Sequence, residues 1–352
     1  MKFSRYLILI LAAWIIVSCH NDNPTIPSGK LKINSLSSDS LAVGDTLVLK
    51  GEFFGLPSSN KRLVFDSTLS IGSQDCMRWH NFEIRFVVPK GAKDGFLKLV
   101  ESGEVLDSVF IKISAVPFFD VIEVPAGKFI RGSLTSSVNE QPAREITISK
   151  PFYISKYEVS QRLFEAVTGN NPSNVVSLEL PVGKVTWVEA AIFCNELSKI
   201  HSLDEVYIIT GVDAVMNINK NGWRLPTEAE WEYACRAGTT GDYAGNGILD
   251  DMGWYGYNSG LKMHPPERKL PNDFGIYDMH GNVWEWCWDF FSSNYYAVSP
   301  DTDPIGPEKG ERRIMRGGSW NDGMNFARSS NRTIPLQDIG NVGIRLVRNK
   351  DN

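Results

Sequence analysis

WRLPTEAEWEYACRAG, residues 223–238, carries a clear helix signal. Pro226 closes the approach, and Thr227 with Glu230 forms a capping box, in which hydroxyl and carboxylate each satisfy a backbone N–H of the first turn. Gly238 provides the stop. The same signals recur upstream. Thr186 and Glu189 form a box ahead of Ala190, Ala191, Phe193 and Leu197, and Ser160 precedes Leu163, Phe164 and Val167, with Gly169 as terminator. Further back, FFDVIEVPAGKFIRG (residues 118–132) predicts two strands around Pro125-Ala126-Gly127. From residue 240 onward the chain is mostly turn-forming. Three helices, short strands and much irregular chain predict an α+β domain. Its many Asn, Asp and Ser side chains are expected to bond to backbone or to a metal.

Residues 31–115 are patterned differently. Apolar residues alternate at Leu47 and Leu49, at Ile84, Phe86 and Val88, at Leu97 and Leu99, and at Val109, Ile111 and Ile113. Turn formers such as Val43-Gly44-Asp45, Pro57-Ser58-Ser59-Asn60, Pro89-Lys90-Gly91 and Glu101-Ser102-Gly103 separate them. Short strands at this spacing predict a small all-β sandwich. The series Gly44-Asp45-Thr46, Gly51-Glu52-Phe53-Phe54-Gly55, Trp79, Val88-Pro89-Lys90-Gly91-Ala92 and Gly95 resembles the IPT/TIG family of immunoglobulin-like domains. That resemblance implies a spacer or adhesive unit. Cys76 has no partner cysteine in this stretch and reads as a buried or free thiol.

Residues 1–19, MKFSRYLILILAAWIIVSC, have the pattern of a targeting segment. Lys2 and Arg5 lead into twelve apolar residues from Tyr6 to Val17. Such a run spans about 18 Å as a helix, short of the roughly 30 Å of a hydrocarbon core, so a cleavable signal is expected. Ile16-Val17-Ser18-Cys19 resembles a bacterial lipobox, which implies lipid attachment at Cys19 and a membrane tether. His20 stands where Asp favours inner-membrane retention in such lipoproteins. The resemblance therefore implies the bacterial cell envelope and, where there is one, the outer membrane. Residues 20–30 are polar and suit a tether.

With 352 residues the chain has room for two domains after this segment. A net charge of −5 gives no basis for a nucleic-acid partner. Five cysteines are too few for a disulfide-dense scaffold. The sequence has no nucleophile elbow, P-loop or dinucleotide fingerprint, and its five histidines are not spaced for a helical iron site.

Across residues 117–350 five segments stand in order: PFYISKYEVS (151–160), WRLPTEAEWEYACRAG, NDFGIYDMHGNVWEW (272–286), RGGSW (316–320) and NVGIRLV (341–347). Together they resemble the sulfatase-modifying factor family, also called the formylglycine-generating enzyme family. The resemblance implies a C-type-lectin-like fold, low in regular structure and calcium-stabilised in several members. Formylglycine-generating members oxidise a sulfatase cysteine to an aldehyde with two cysteines that bind copper, because soft thiolates select Cu(I). Aligned from Ser319, those positions fall at Asp322 and Ala327, and no cysteine follows Cys287. No copper is therefore expected, and a non-catalytic binding or assembly role is favoured over a cysteine-independent oxidoreductase or tailoring enzyme. Cys235 matches a position that is disulfide-bonded in some relatives, but its partner position is Leu346 here. Cys194 and Cys287 can pair only if the fold brings their Cα atoms within about 7 Å, the alternative being three buried thiols.

The segment Gly281-Asn282-Val283-Trp284-Glu285-Trp286 matches a calcium-binding stretch of relatives. Hard Ca²⁺ takes mixed oxygen ligands. The resemblance implies the carbonyls of Gly281 and Val283 and the carboxylate of Glu285, with Asn282 nearby; the alternative is a Glu285 bonded to local backbone without metal. Trp284, Trp286 and Trp288 alternate and read as one core-facing row. Asp289, Asp301 and Asp303 read as a solvated loop. The remains of the substrate cleft are Ser319, Trp320, Asn321, Asp322 and Arg328, polar groups beside an aromatic that suit an envelope protein, peptide or glycan ligand.

Overall fold

A computed structural model of the chain describes residues 30–38, 40–66, 69–89, 91–114, 116–335 and 340–350; the targeting segment and Cys19 lie outside them. The chain divides into two compact units. Of the described residues, one holds those from 30 to 38, 46 to 87 and 96 to 110, and the other holds those from 40 to 45, 88 to 95 and 111 onward.

The first part of the chain forms β1 (Lys32–Leu36), β2 (Ser40–Ala42), β3 (Thr46–Glu52), β4 (Lys61–Val64), β5 (Ser70–Gly72), β6 (Arg78–Trp79), β7 (Glu83–Val87), β8 (Gly95–Glu101) and β9 (Glu104–Ser114). They make a four-stranded sheet of order β1-β3-β7-β6 and a five-stranded sheet of order β2-β9-β8-β4-β5. The alternation seen in the sequence is the burial pattern. Leu47, Leu49, Ile84, Phe86, Leu97, Leu99 and Ile111 are buried, whereas Val109 and Ile113 are only half-buried. Trp79 is buried as well, its indole N–H donating to the Phe54 carbonyl at 3.3 Å.

In the second unit, β10 (Val121–Val124) and β11 (Gly127–Arg131) flank the expected turn but do not pair with each other. β11 pairs with β12 (Arg144–Ile148), and β10 pairs with β13 (Phe152–Ser155). The three helices start where the capping signals stand. α1 (Gln161–Thr168) begins with the Ser160 hydroxyl accepting the Leu163 N–H and ends at Gly169 in the left-handed region, φ 76°. α2 (Trp187–Ile200) and α3 (Glu228–Arg236) each begin with a complete capping box. β14 (Tyr207–Thr210) and β15 (Asp213–Met216) form a hairpin. Then come α4 (Leu249–Met252), β16 (Gly253–Trp254), β17 (His280–Gly281), β18 (Trp284–Phe290), α5 (Tyr295–Val298), β19 (Arg313–Arg316), β20 (Val342–Gly343) and β21 (Val347–Asn349). The unit mixes short helices with more numerous short strands, in small sheets such as β19-β18-β20 and β10-β13-β21.

β18 lies between two apolar clusters. Trp284, Trp286 and Trp288 pack with α2 on one side, and Cys287 packs with α3 on the other, so the alternating tryptophans are core. Every residue of α3 is buried, including three glutamates. A buried carboxylate requires a cation. Glu228 receives Arg316 at 3.2 Å and Arg332 at 2.6 Å, Glu232 receives Arg316 at 2.6 Å and Arg236 at 2.9 Å, and Glu230 receives Arg224 at 2.6 Å. The charges of the most recognisable motif therefore hold the fold together.

Candidate functional site

Glu285, on β18, faces Arg345 across 2.8 Å and accepts the Trp231 indole N–H at 2.6 Å. The Arg345 Nε–H also reaches both of its oxygens, at 2.9 and 3.0 Å. Glu285, expected either as a calcium ligand or bonded to local backbone, thus has Arg345 and Trp231 as its partners in place of local backbone. Asn282, in the left-handed region at φ 60°, fastens a loop: its Oδ1 accepts the His264 N–H at 2.9 Å, and its Nδ2 donates to Glu158 at 2.7 Å. The Val283 N–H donates to the other Glu158 oxygen at 3.0 Å.

The unsatisfied carboxylate lies next to this motif. Asp278 is buried, and neither of its oxygens has a hydrogen-bond partner. Burial pushes its carboxyl up to about 7, with Arg345 opposing and Glu285 adding. Burial, then Asp278 and Glu285, push the Glu158 carboxyl up in the same way. Two bare oxygens in a buried, electronegative position suit a hard divalent cation. Among the described residues no three His, Cys, Asp or Glu side chains converge into a metal-binding set, so a cation at Asp278 would need backbone oxygens such as those of Gly281 and Val283. Sequence reasoning missed Asp278 and Glu158, although both lie inside the motifs IYDMHGN and KYEVS.

The expected cleft is only partly assembled. After β19 the chain turns at Gly317 and Gly318, with φ 96° and 79°. A Cβ on Gly318 would stand 3.0 Å from the Phe326 backbone, so the turn needs glycine. This turn delivers Asp322, whose Oδ2 accepts the Trp284 indole N–H at 2.8 Å and the Ser319 hydroxyl. Asp322 and Asn321 join Tyr255, Gly256, Tyr257, Gly323 and Met324 around an open groove of about 440 Å³. Ser319 is buried beneath them and acts by holding Asp322. The Trp320 carbonyl accepts the Ser259 hydroxyl at 2.7 Å, while its indole N–H is buried without a partner. Arg328 does not belong to the cleft. Glu140, fully buried, takes its guanidinium with two contacts of 2.8 Å, and Ser136 adds a third at 2.6 Å. Tyr255, Tyr257 and Met324 escaped the sequence reading; the signal was a glycine between two tyrosines within a turn-rich stretch.

Ala327, expected at the position of the second thiolate, is buried, and its carbonyl accepts the His280 Nδ1–H at 2.7 Å. The other ring nitrogen of His280 accepts the Ala244 N–H at 3.0 Å. A carbonyl at one nitrogen and an amide at the other fix a neutral tautomer, and burial pushes the imidazole down to about 4. The Cys235 sulfur lies 3.8 Å from that ring, but burial pushes its thiol up to about 12, so no activated thiolate–imidazole pair exists. Cys76, Cys194, Cys235 and Cys287 are all free thiols, and Cys194 and Cys287 do not pair. Burial raises both of the latter. Asp289, expected in a solvated loop, is instead buried in β18 and accepts the Glu228 N–H at 2.8 Å.

Residues 111–350 match the family described as sulfatase-modifying factor enzyme 1-like domain. The chain is 34% identical over 256 residues to the chaperone protein LppX of Paenibacillus barcinonensis, covering 62% of this chain and 87% of that protein. It is 40% identical over 161 residues to the formylglycine-generating enzyme of Streptomyces coelicolor, covering 40% of this chain and 51% of the enzyme. Among solved structures, variable protein 1 of Treponema denticola aligns with a TM-score of 0.61 at 30% identity, over 73% of this chain and 99% of that one. PvdO from Pseudomonas aeruginosa aligns at 0.53 and 26% identity, over 65% and 94%. With its motifs, its fold and a family match spanning most of its length in agreement, the chain belongs to the sulfatase-modifying factor enzyme 1-like family.

Proposed function

We propose that this protein is a non-catalytic member of its family, a binding or assembly component of the bacterial cell envelope. In this reading Cys19 carries the lipid anchor, in the outer membrane where there is one. Residues 31–115 are an IPT/TIG-like immunoglobulin-type spacer, and residues 117–350 present a C-type-lectin-like binding domain. The observation that carries the reading is the pair Asp322 and Ala327: a hard carboxylate and a methyl group stand where the family's copper chemistry needs two thiolates. The free cysteines of the domain are buried with raised thiols, which supports the same reading. The groove beside Asp322 is the binding surface, with a peptide, glycan or envelope protein as its ligand. The chaperone name of the Paenibacillus relative agrees with such a role. Calcium at Asp278 with the carbonyls of Gly281 and Val283 is the structural ion in this account. Copper analysis of purified protein is expected to find none in stoichiometric amount. Radiolabelled palmitate is expected to label the wild type and not Cys19→Ser; an unlabelled wild type would remove the anchor. The rival reading, a cysteine-independent oxidoreductase, draws on the 40% identity to the Streptomyces enzyme and requires turnover without copper.

A further inference from the structure

We infer that the Asp322 groove receives a lysine side chain of a partner polypeptide, an inference that rests on the binding role proposed for this site. Asp322 is the one charged residue among those lining the groove. Among the described residues it forms no ion pair, and the nearby cation of the old cleft, Arg328, is committed to Glu140. The groove therefore presents an unneutralised negative charge.

Its walls suit an alkylammonium group. The Tyr255 and Tyr257 rings lie 6.4 Å apart at 25°, and Tyr257 is 87% exposed. Aromatic faces attract cations, and an exposed Met324 gives a pliable apolar contact for a methylene stem. The Tyr255 hydroxyl donates to Asp250 at 3.0 Å, which fixes the ring and sets a second carboxylate behind it. Lysine fits better than arginine because only part of the Asp322 carboxylate is free. Oδ2 already accepts from Trp284 and Ser319, leaving Oδ1 for the ligand. An ammonium is a point charge satisfied by one oxygen, whereas a guanidinium fork gains from two. The source is a polypeptide because the groove is open, and Gly323 has free space where a side chain would be, so a flanking backbone can lie across it.

The test uses the purified chain with ¹³C-methyl methionine, the Met324 signal being assigned from Met324→Leu. The probe is the blocked peptide acetyl-Gly-Lys-Gly-amide, compared with its norleucine and Nε-acetyl-lysine counterparts and with free cadaverine. A saturable shift of the Met324 methyl with the lysine peptide is expected, at least tenfold weaker for the norleucine and acetyl-lysine peptides and weaker for cadaverine. Asp322→Asn, whose amide oxygen can still accept from Trp284, is expected to weaken binding at least tenfold with an unchanged melting temperature. Tyr257→Ala, at an exposed position, is expected to weaken it about threefold. Equal binding of the norleucine peptide, tighter binding of cadaverine, or no saturable shift at Met324 would each overturn the inference. None of these results touches the non-catalytic reading, which fails only on copper or turnover.

Discussion

Arg316 is fully buried between Glu228 and Glu232, and its loss would strip each buried carboxylate of one of its two cations, leaving Glu228 with Arg332 and Glu232 with Arg236. Arg316→Ala is expected to lower the unfolding free energy by about 3–5 kcal/mol, measured by urea titration. Asp289 sets a pH dependence. Burial, then Glu228, push its carboxyl up to about 7, so the folded chain holds this proton more tightly than the unfolded chain, where the value is about 3.9. Its contribution to stability is complete below pH 4 and is lost as pH rises through 7. Asp289→Asn should therefore melt higher than wild type at pH 8, with the gap closing toward pH 4; a constant difference across this range would contradict the argument. At Asp278 the expectation concerns metal. Calcium should raise the melting temperature of wild type over an EDTA-treated sample, and Asp278→Ala should abolish the rise.

The two capping boxes look alike in sequence and differ in structure. The Thr186–Glu189 box is largely solvent-exposed, whereas Glu230 of the Thr227 box also neutralises the buried Arg224. Thr186→Ala is expected to cost about 1 kcal/mol, and Glu230→Ala clearly more than Glu189→Ala, as read by chemical denaturation. Elements of this kind were legible because their signals are local: caps at Ser160, Thr186 and Thr227, and period-two burial at Leu47, Leu49, Ile84 and Phe86. The partners were not. Nothing in WRLPTEAEWEYACRAG indicates that Glu228 meets Arg332, 104 residues away, because a buried arginine and a surface arginine are the same letter. The same holds for Glu285, whose partners Arg345 and Trp231 are distant from it in the chain.

At the scale of the molecule, the family motifs are mainly a packing code. The proposed loss of copper chemistry rests on Asp322 and Ala327, whose identity was readable in the sequence without tertiary context. The composition of the groove was not, since Tyr255 and Asp322 are far apart in the chain and meet only through the fold. The most direct test incubates the purified protein with copper, a thiol reductant, oxygen and a cysteine-containing sulfatase peptide, and follows the peptide by mass spectrometry. The account predicts no aldehyde on the peptide and no stoichiometric copper on the protein. Formation of the aldehyde, dependent on this chain, would contradict it.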